Sequence, residues 1–397
     1  MKGIVKVLAI LVAIGVVGAA GIAFVAFSFL NTPASDSQEA AVFEIAPGES
    51  FKTVARRLQE QGLVTSADKM ALYGRLTGAA GKVRVGEYSI RRDSKPAEVL
   101  SILSSGKSIE YSITVPEGHN IYEIADILEA SGRVSKADFL QLARDPAFVK
   151  EVIGEPVSSL EGYLFPETYH ITKFTGAKGL IKMMTSRFKE NFAKVVVPPG
   201  FGLKSHEIVI LASIIEKETG APEERPVISS VFHNRLSMNM RLQTDPTVVY
   251  GKWEKTGTWD KNISKEDLLT PTRYNTYTLN GLPHGPIANP GFEALKAAVA
   301  PANTEFLFFV SRNDGTHIFS KEYGQHQKAV TQFQLDRKAR EGKSWRDLQN
   351  RQAAPEQVNA APAMKPAPQR ANASKPAAPP AKTQKPQAPA RKQPAKQ

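Results

Sequence analysis

The first pattern along the chain is an unbroken apolar run. Val7 to Leu30 holds 24 residues without a charge, and a helix of about 20 apolar residues crosses a bilayer. The apolar region of a cleaved secretory signal is only about 7–15 residues long, so the run predicts an uncleaved transmembrane helix over 7–30. Lys2, Lys6 and the amino terminus precede it, and Asp36 and Glu39 follow it. That charge bias puts residues 1–6 in the cytoplasm and the remainder outside. Asn31 to Ala41 (NTPASDSQEAA) is small and polar and reads as a linker.

The pattern then changes to short alternating and helical segments. VFEIAPGESFKTVARRLQEQGLV, from Val42, predicts a strand, a Pro-Gly turn and an amphipathic helix capped at Ser50. Another helix follows, then an alternating strand over VGEYSI (Val85 to Ile90) and a helix in PAEVLSILSSG that stops on glycine. YSITVPEGHNIYEIADILEASGRV repeats strand, Pro-x-Gly turn and helix, a weak internal repeat. From about Asp145 to Phe333 the pattern is that of one larger domain with many tight turns.

Inside that domain lies ASIIEKETG (Ala212 to Gly220), an apolar helix ending in two acids. The predicted helix runs from Ser205, as N-cap, to Thr219, with Gly220 as C-cap and Pro222 beyond. Adjacent carboxylates evoke a glycosidase pair, but helical positions two apart point about 200° apart. Glu216 and Glu218 therefore cannot flank one bond, as the two-carboxylate mechanism requires. Glu218 follows Leu211, Ile214 and Ile215, the most apolar stripe, whereas Glu216 follows Ala212 and Ser213 and is expected to be the more exposed acid. On that stripe a carboxyl is desolvated and its pKa rises, which suits a general acid. Equally, Glu218 is a solvated group at a fraying helix end, and spacing does not decide between the two.

Composition narrows the classes. Net charge is +12, but from Arg351 to Gln397 nine Lys or Arg face the single acid Glu356, so +8 of it sits in the tail. The core is near balance, so no nucleic-acid partner is expected. Beyond Asn350 the chain is mostly Pro, Ala, Lys and Gln, a composition expected to stay disordered. No cysteine is present, which excludes disulfides and thiol chemistry. HEIVI at His206 has Ile210 where a zinc motif needs its second histidine, so no metal site is expected. SRFK (Ser186 to Lys189), SMN and KTG loosely follow the penicillin-binding signature, but SRFK lies on a charged amphipathic helix that would expose its serine.

Several loops gather polar and aromatic groups suited to sugar rings. EGYLFPETY offers Glu161; MRLQTDPTVVY offers Gln243, Thr244 and Asp245 at a Pro-bounded turn; RYNTYT offers Tyr274, Asn275 and Tyr277; GLPHGPIANPG is a rigid loop. These are the candidate substrate contacts.

ASIIEKET, VFHNRL, RLQTDPTV, TPTRYNTY and GLPHGPIANPG together resemble the YceG-like endolytic murein transglycosylases over roughly Val42 to Leu335. The resemblance implies an α+β fold, a LysM-like α+β module over 42–108 and a catalytic domain over 109–340; it leaves out the tail over 341–397, which composition alone sets apart as disordered. It implies a single-pass protein of the bacterial inner membrane that cuts nascent peptidoglycan glycan strands alongside peptidoglycan synthases (penicillin-binding proteins), without a cofactor. The family's essential glutamate maps to Glu218. Its class uses one carboxyl to protonate the leaving oxygen of a MurNAc–GlcNAc bond while the MurNAc C6 hydroxyl closes a 1,6-anhydro ring, so no second acid is needed. The chain departs from the family at Asn239, where Gly is usual, and at His284, where Pro is common. Asn is the next residue after Gly to tolerate a left-handed turn, and His284 is expected to do nothing specific.

Overall fold

The computed structural model describes residues 2–257 and 262–336. Helix α1 (Lys2–Asn31) takes in the whole apolar run and begins ahead of it. Among the described residues it is the one helix long and apolar enough to cross a membrane. From residue 3 its side chains are exposed until the last turn, where Phe29 is buried. The linker expected over 31–41 is shorter than read: Phe29 and Leu30 pack against the unit that follows, and strand β1 (Ala40–Ile45) already starts at Ala40.

The first unit runs β1, α2 (Phe51–Glu60), α3 (Ala67–Leu76), a 3₁₀ turn (Ala79–Lys82) and β2 (Gly86–Arg91). β1 and β2 pair antiparallel with Phe43 opposite Tyr88, and alternation turns both rings into the core with Ile45, Val54, Leu58 and Ile90. Ser50 caps α2 by accepting from the Thr53 N–H at 3.2 Å. Helix α4 (Pro96–Ser105) closes the unit and stops at Gly106 in the left-handed region (φ 71°).

The second unit repeats the order with an extra helix: β3 (Tyr111–Thr114), α5 (Ile121–Ala130), α6 (Lys136–Leu142), α7 (Pro146–Ile153) and β4 (Thr168–Ile171), with β3 and β4 antiparallel. The Asn120 side chain caps α5 by accepting from the Tyr122 and Glu123 N–H groups, both at 3.0 Å. Helix α8 (Gly176–Phe192) packs its Leu180, Ile181 and Met184 into this core and leaves Ser186 exposed, as its charged face predicts.

The third unit is built around α9 (Ser205–Glu218), followed by α10 (Arg225–Ser237), α11 (Asp245–Thr256), α12 (Lys265–Leu269), α13 (Phe292–Val299), the hairpin β5 (Phe308–Ser311) and β6 (His317–Ser320), and α14 (Tyr323–Val330). The described chain is thus mixed helix and strand. Its sheets are three separate antiparallel pairs; the 341–397 tail lies outside the described residues.

Three details of α9 differ from its sequence reading. Ser205 is the first helical residue rather than the cap, and the Glu207 carboxylate instead accepts from the Lys204 N–H at 2.8 Å. Every residue from Ile208 to Ile215 is buried, so no single apolar stripe separates Glu218 from Glu216. Each fully buried Ile or Leu here contributes about 1.5–3 kcal/mol. Finally, the chain leaves the helix at Thr219 in extended backbone (φ −85°, ψ 113°), and Gly220 is not in the left-handed region. Gly220 is small for another reason: a Cβ there would collide with the Gly315 carbonyl at the tip of the β5–β6 turn.

Gly162 fastens this unit to the second. It is left-handed (φ 86°), and a Cβ on it would lie 2.6 Å from Pro286 and 2.8 Å from Val209 of α9. Gly162→Ala combines an unfavourable backbone with overpacking and should destabilise the fold by about 2 kcal/mol or more. A thermal melt reads this as a clearly lower unfolding midpoint; an unchanged midpoint would mean the contact is not held in solution.

Candidate active site

A helix enclosed on all sides presents its chemistry at its end, and the last residue of α9 is Glu218. The Thr219 hydroxyl satisfies the Ile215 carbonyl at 2.6 Å, finishing the helix behind the carboxyl. Burial raises the Glu218 pKa to about 7. A hydrogen bond from the Thr244 hydroxyl opposes that rise, the Asp245 charge adds to it, and the Arg235 guanidinium lowers it. The acid therefore sits near its own midpoint at neutral pH, as a proton donor that must recover its proton requires.

Thr244 is held by a buried set of hydroxyls. Its N–H donates to Thr276 Oγ1 at 3.0 Å, and the Thr247 hydroxyl donates to the Thr244 carbonyl at 2.7 Å. The Thr247 and Thr276 hydroxyls are 2.8 Å apart, and neither residue is exposed. This set fixes the turn that enters α11. Gln243, just before it, is exposed and left-handed (φ 48°), with its N–H on the Thr276 carbonyl at 3.2 Å. A non-glycine residue in that region costs about 1–2 kcal/mol, and such strain gathers at functional sites. Asp245 is exposed and accepts from the Tyr277 hydroxyl at 2.6 Å. Burial, with Asp245 next, pushes the Tyr277 hydroxyl pKa up, so it remains a donor.

Gln243, Thr244, Asp245, Tyr277 and Glu218 thus come together. Thr244, expected as a substrate contact, spends its hydroxyl on Glu218. The other three expected contacts lie a layer deeper. Tyr274 is buried with its ring 4.7 Å from Tyr250. Asn275 is fully buried, and its amide donates to the carbonyls of Asp267, Leu268 and Thr270 at 2.8–3.1 Å, closing the end of α12. Glu161 is 1% exposed and accepts from the Ile121 N–H at 3.1 Å, Asn289 Nδ2 at 3.0 Å and the Tyr250 hydroxyl at 2.9 Å. Burial raises its pKa to about 8. The Asn275 and Glu161 side chains are committed to braces and have no open face for a sugar.

Glu216 corrects a further expectation. Its side chain is only 7% exposed, pairs with Arg225 at 3.4 Å and accepts from the Gly291 N–H at 3.1 Å. Burial and then Glu117 push its pKa up. It fastens the start of α10 and the start of α13 to α9, on the other side from Thr244. Arg235 also belongs to the site, which its sequence position alone does not reveal. It is 8% exposed, and its guanidinium donates to the Leu307 and Leu242 carbonyls at 2.7 and 2.6 Å, which holds a fixed positive charge behind Glu218. The available signal was an arginine inside the apolar helix VFHNRL.

Glu218 lines neither a hollow of about 440 Å³ beside Pro222, Arg225 and Lys296 nor one of about 510 Å³ beside His170 and Arg187. Hydrogen-bond geometry, not enclosure, marks the site. Among the described residues no group of three or more His, Cys, Asp or Glu is placed to hold a metal ion.

The profile of the YceG-like family matches residues 43–332, which takes in all of these groups. The chain belongs to the YceG-like family. A Bacillus subtilis (strain 168) protein named endolytic murein transglycosylase is 30% identical over 324 residues, covering 77% of this chain and 88% of the relative. A protein of the same name from Streptococcus pneumoniae (serotype 2, strain D39) is 25% identical over 330 residues, covering 75% of this chain and 59% of the relative. A crystal structure of a YceG-like protein from Listeria monocytogenes aligns at 30% identity with a TM-score of 0.50, covering 74% of this chain and all of that one.

In this YceG-like site the Thr244 hydroxyl stabilises the charged form of Glu218. Thr244→Val keeps the shape and removes the donor, so the Glu218 pKa should rise further above about 7. A ¹³C NMR titration of labelled glutamate carboxyls reads the shift; a fall, or no change, would detach Thr244 from the acid.

Proposed function

We propose that this chain is a membrane-anchored endolytic peptidoglycan lytic transglycosylase with Glu218 as its general acid and base. The observation that carries this reading is the Glu218 carboxyl at the end of α9, raised in pKa, met by the Thr244 hydroxyl and bordered by the exposed Gln243 and Asp245. The two relatives named endolytic murein transglycosylase support the reaction class. The protonated Glu218 gives its proton to the GlcNAc oxygen as the MurNAc C1–O bond breaks and its electron pair leaves with that oxygen. The MurNAc C6 hydroxyl attacks C1, and its proton passes to the Glu218 carboxylate. The acid is restored, no water is consumed, and a 1,6-anhydro-MurNAc end results. The nucleophile is tethered to the centre it attacks, which gives it a high effective concentration. Gln243, Asp245 and Tyr277 are the proposed strand contacts: they stand at the same helix end, and Gln243 is held in a strained conformation.

The same reading assigns α1 as the anchor, with the amino terminus cytoplasmic and the other units outside, in the inner membrane. Residues 42–108 are assigned as the LysM-like module and 109–340 as the catalytic domain. The strand–helix–helix–strand order of β1, α2, α3 and β2 supports the module. Work alongside peptidoglycan synthases follows from the resemblance.

A hydrolytic muramidase is the second reading, and one observation favours it. Asp245 lies near enough to raise the Glu218 pKa, so a partner carboxylate is at hand. The other acids this reading could use are Glu161, which is sealed, and Glu167, which is paired with Arg187 at 3.1 Å; Asp245 is the one beside Glu218.

Glu218→Gln should abolish glycan cleavage with an unchanged melting midpoint, while Glu216→Gln should lower stability first and retain cleavage in the folded fraction. The reverse pattern would move the acid to Glu216. A general acid must start protonated, so activity should be full below about pH 6 as far as this group decides it and fall as pH rises through about 7. A profile flat from pH 6 to 9 would contradict the role.

A further inference from the structure

The last turn of α1 does not leave the membrane into open linker. Phe29 is 6% exposed and belongs to the core of the first unit, and Lys69 of α3 stands over its ring at 5.9 Å. The apolar run ends at Leu30, so a group that touches Phe29 lies at the level of the lipid head groups. Lys69 is the first of three positions, 69, 72 and 76, that share one helical face. The other two are Leu72, 49% exposed, and Leu76, 77% exposed, while Met70 and Gly74 face the core. Single exposed leucines are ordinary; a pair on the face that reaches the anchor is not scattered. Charge agrees. Between Ser66 and Gly86 the chain carries Lys69, Arg75, Lys82 and Arg84 against Asp68 alone, and Val85 adds a further exposed apolar side chain at 41%. Exposed leucines on a segment of net positive charge match a lipid interface with anionic head groups.

We propose that the α3 face of Lys69, Leu72 and Leu76 lies on the membrane surface from which α1 emerges, with Leu72 and Leu76 in the interface and Lys69, Arg75 and Lys82 on anionic head groups. The proposal rests on the reading of α1 as a membrane anchor. It makes the first unit a membrane-bound base for the rest of the chain rather than a module swinging on a tether.

The chain has no cysteine, so single labels are simple to place. Full-length Leu76→Cys, Ile14→Cys and Ser186→Cys, each carrying an environment-sensitive fluorophore, are reconstituted in vesicles of phosphatidylethanolamine and phosphatidylglycerol with and without a spin-labelled quencher lipid. The label at 76 should be quenched about two-fold, as at an interface, the label at 14 at least as strongly, and the label at 186 hardly at all. Lys69→Glu with Arg75→Glu should return the label at 76 to the level of 186. Quenching at 14 with none at 76 would overturn the surface contact and leave the anchor standing. No quenching at either would overturn both. A label at 76 that responds to added glycan strands and not to quencher lipid would assign the patch to the wall polymer and overturn the lipid contact.

Discussion

A helix buried on every side can meet solvent only at its ends. α9 is such a helix, and its final residues are Glu216, Lys217 and Glu218. Everything that distinguishes the two acids follows from what is packed around that end. On one side Arg225 and the Gly291 N–H take Glu216, and the Lys217 ammonium takes the Gly118 carbonyl at 3.0 Å, joining the second and third units. On the other side a threonine hydroxyl meets Glu218, and beyond it stand exposed groups. One acid is spent on assembly and the other is left with a proton to move. The low-dielectric rod that raises the Glu218 pKa also fixes its position, so rigidity and acidity have one origin.

The parts that hold Glu218 are themselves braced from a distance. Glu161 joins the start of α5, the 281–291 loop and α11 through three donors. Asn289 adds bonds from its own amide to the His119 carbonyl at 2.9 Å and from the Leu164 N–H to its Oδ1 at 2.9 Å. Removing an acceptor from such a set strands buried donors, each at a cost of about 1–3 kcal/mol. The polar residues of EGYLFPETY and GLPHGPIANPG are therefore largely a lock between units.

Local patterns in the sequence match the structure. The strand–turn–helix repeat, the Ser50 cap, the glycine stop at Gly106 and the limits of α9 to within a residue all rest on short-range rules. Asn239 adopts the left-handed backbone expected of it (φ 54°). What was misread depends on partners far along the chain. Glu216 looked open because periodicity ranks faces by their own residues and cannot see Arg225 or Gly291 arriving. Glu161 and Asn275 looked like sugar contacts because acids and amides among aromatics fit a cleft as well as a buried hydrogen-bond hub. Gly220 looked like a helix stop, while its smallness is set by Gly315 on a distant hairpin. The Thr244–Thr247–Thr276 set and Arg235 carry no local signal beyond polar residues in otherwise apolar neighbourhoods.

If one carboxyl performs both proton transfers with the substrate's own hydroxyl as nucleophile, the product of cleavage records it. Purified glycan strands digested by the full-length protein are analysed by mass spectrometry. The fragments should end in 1,6-anhydro-MurNAc, one water lighter than hydrolysis products. Fragments ending in reducing MurNAc would contradict single-acid catalysis and turn attention to Asp245 as the partner acid.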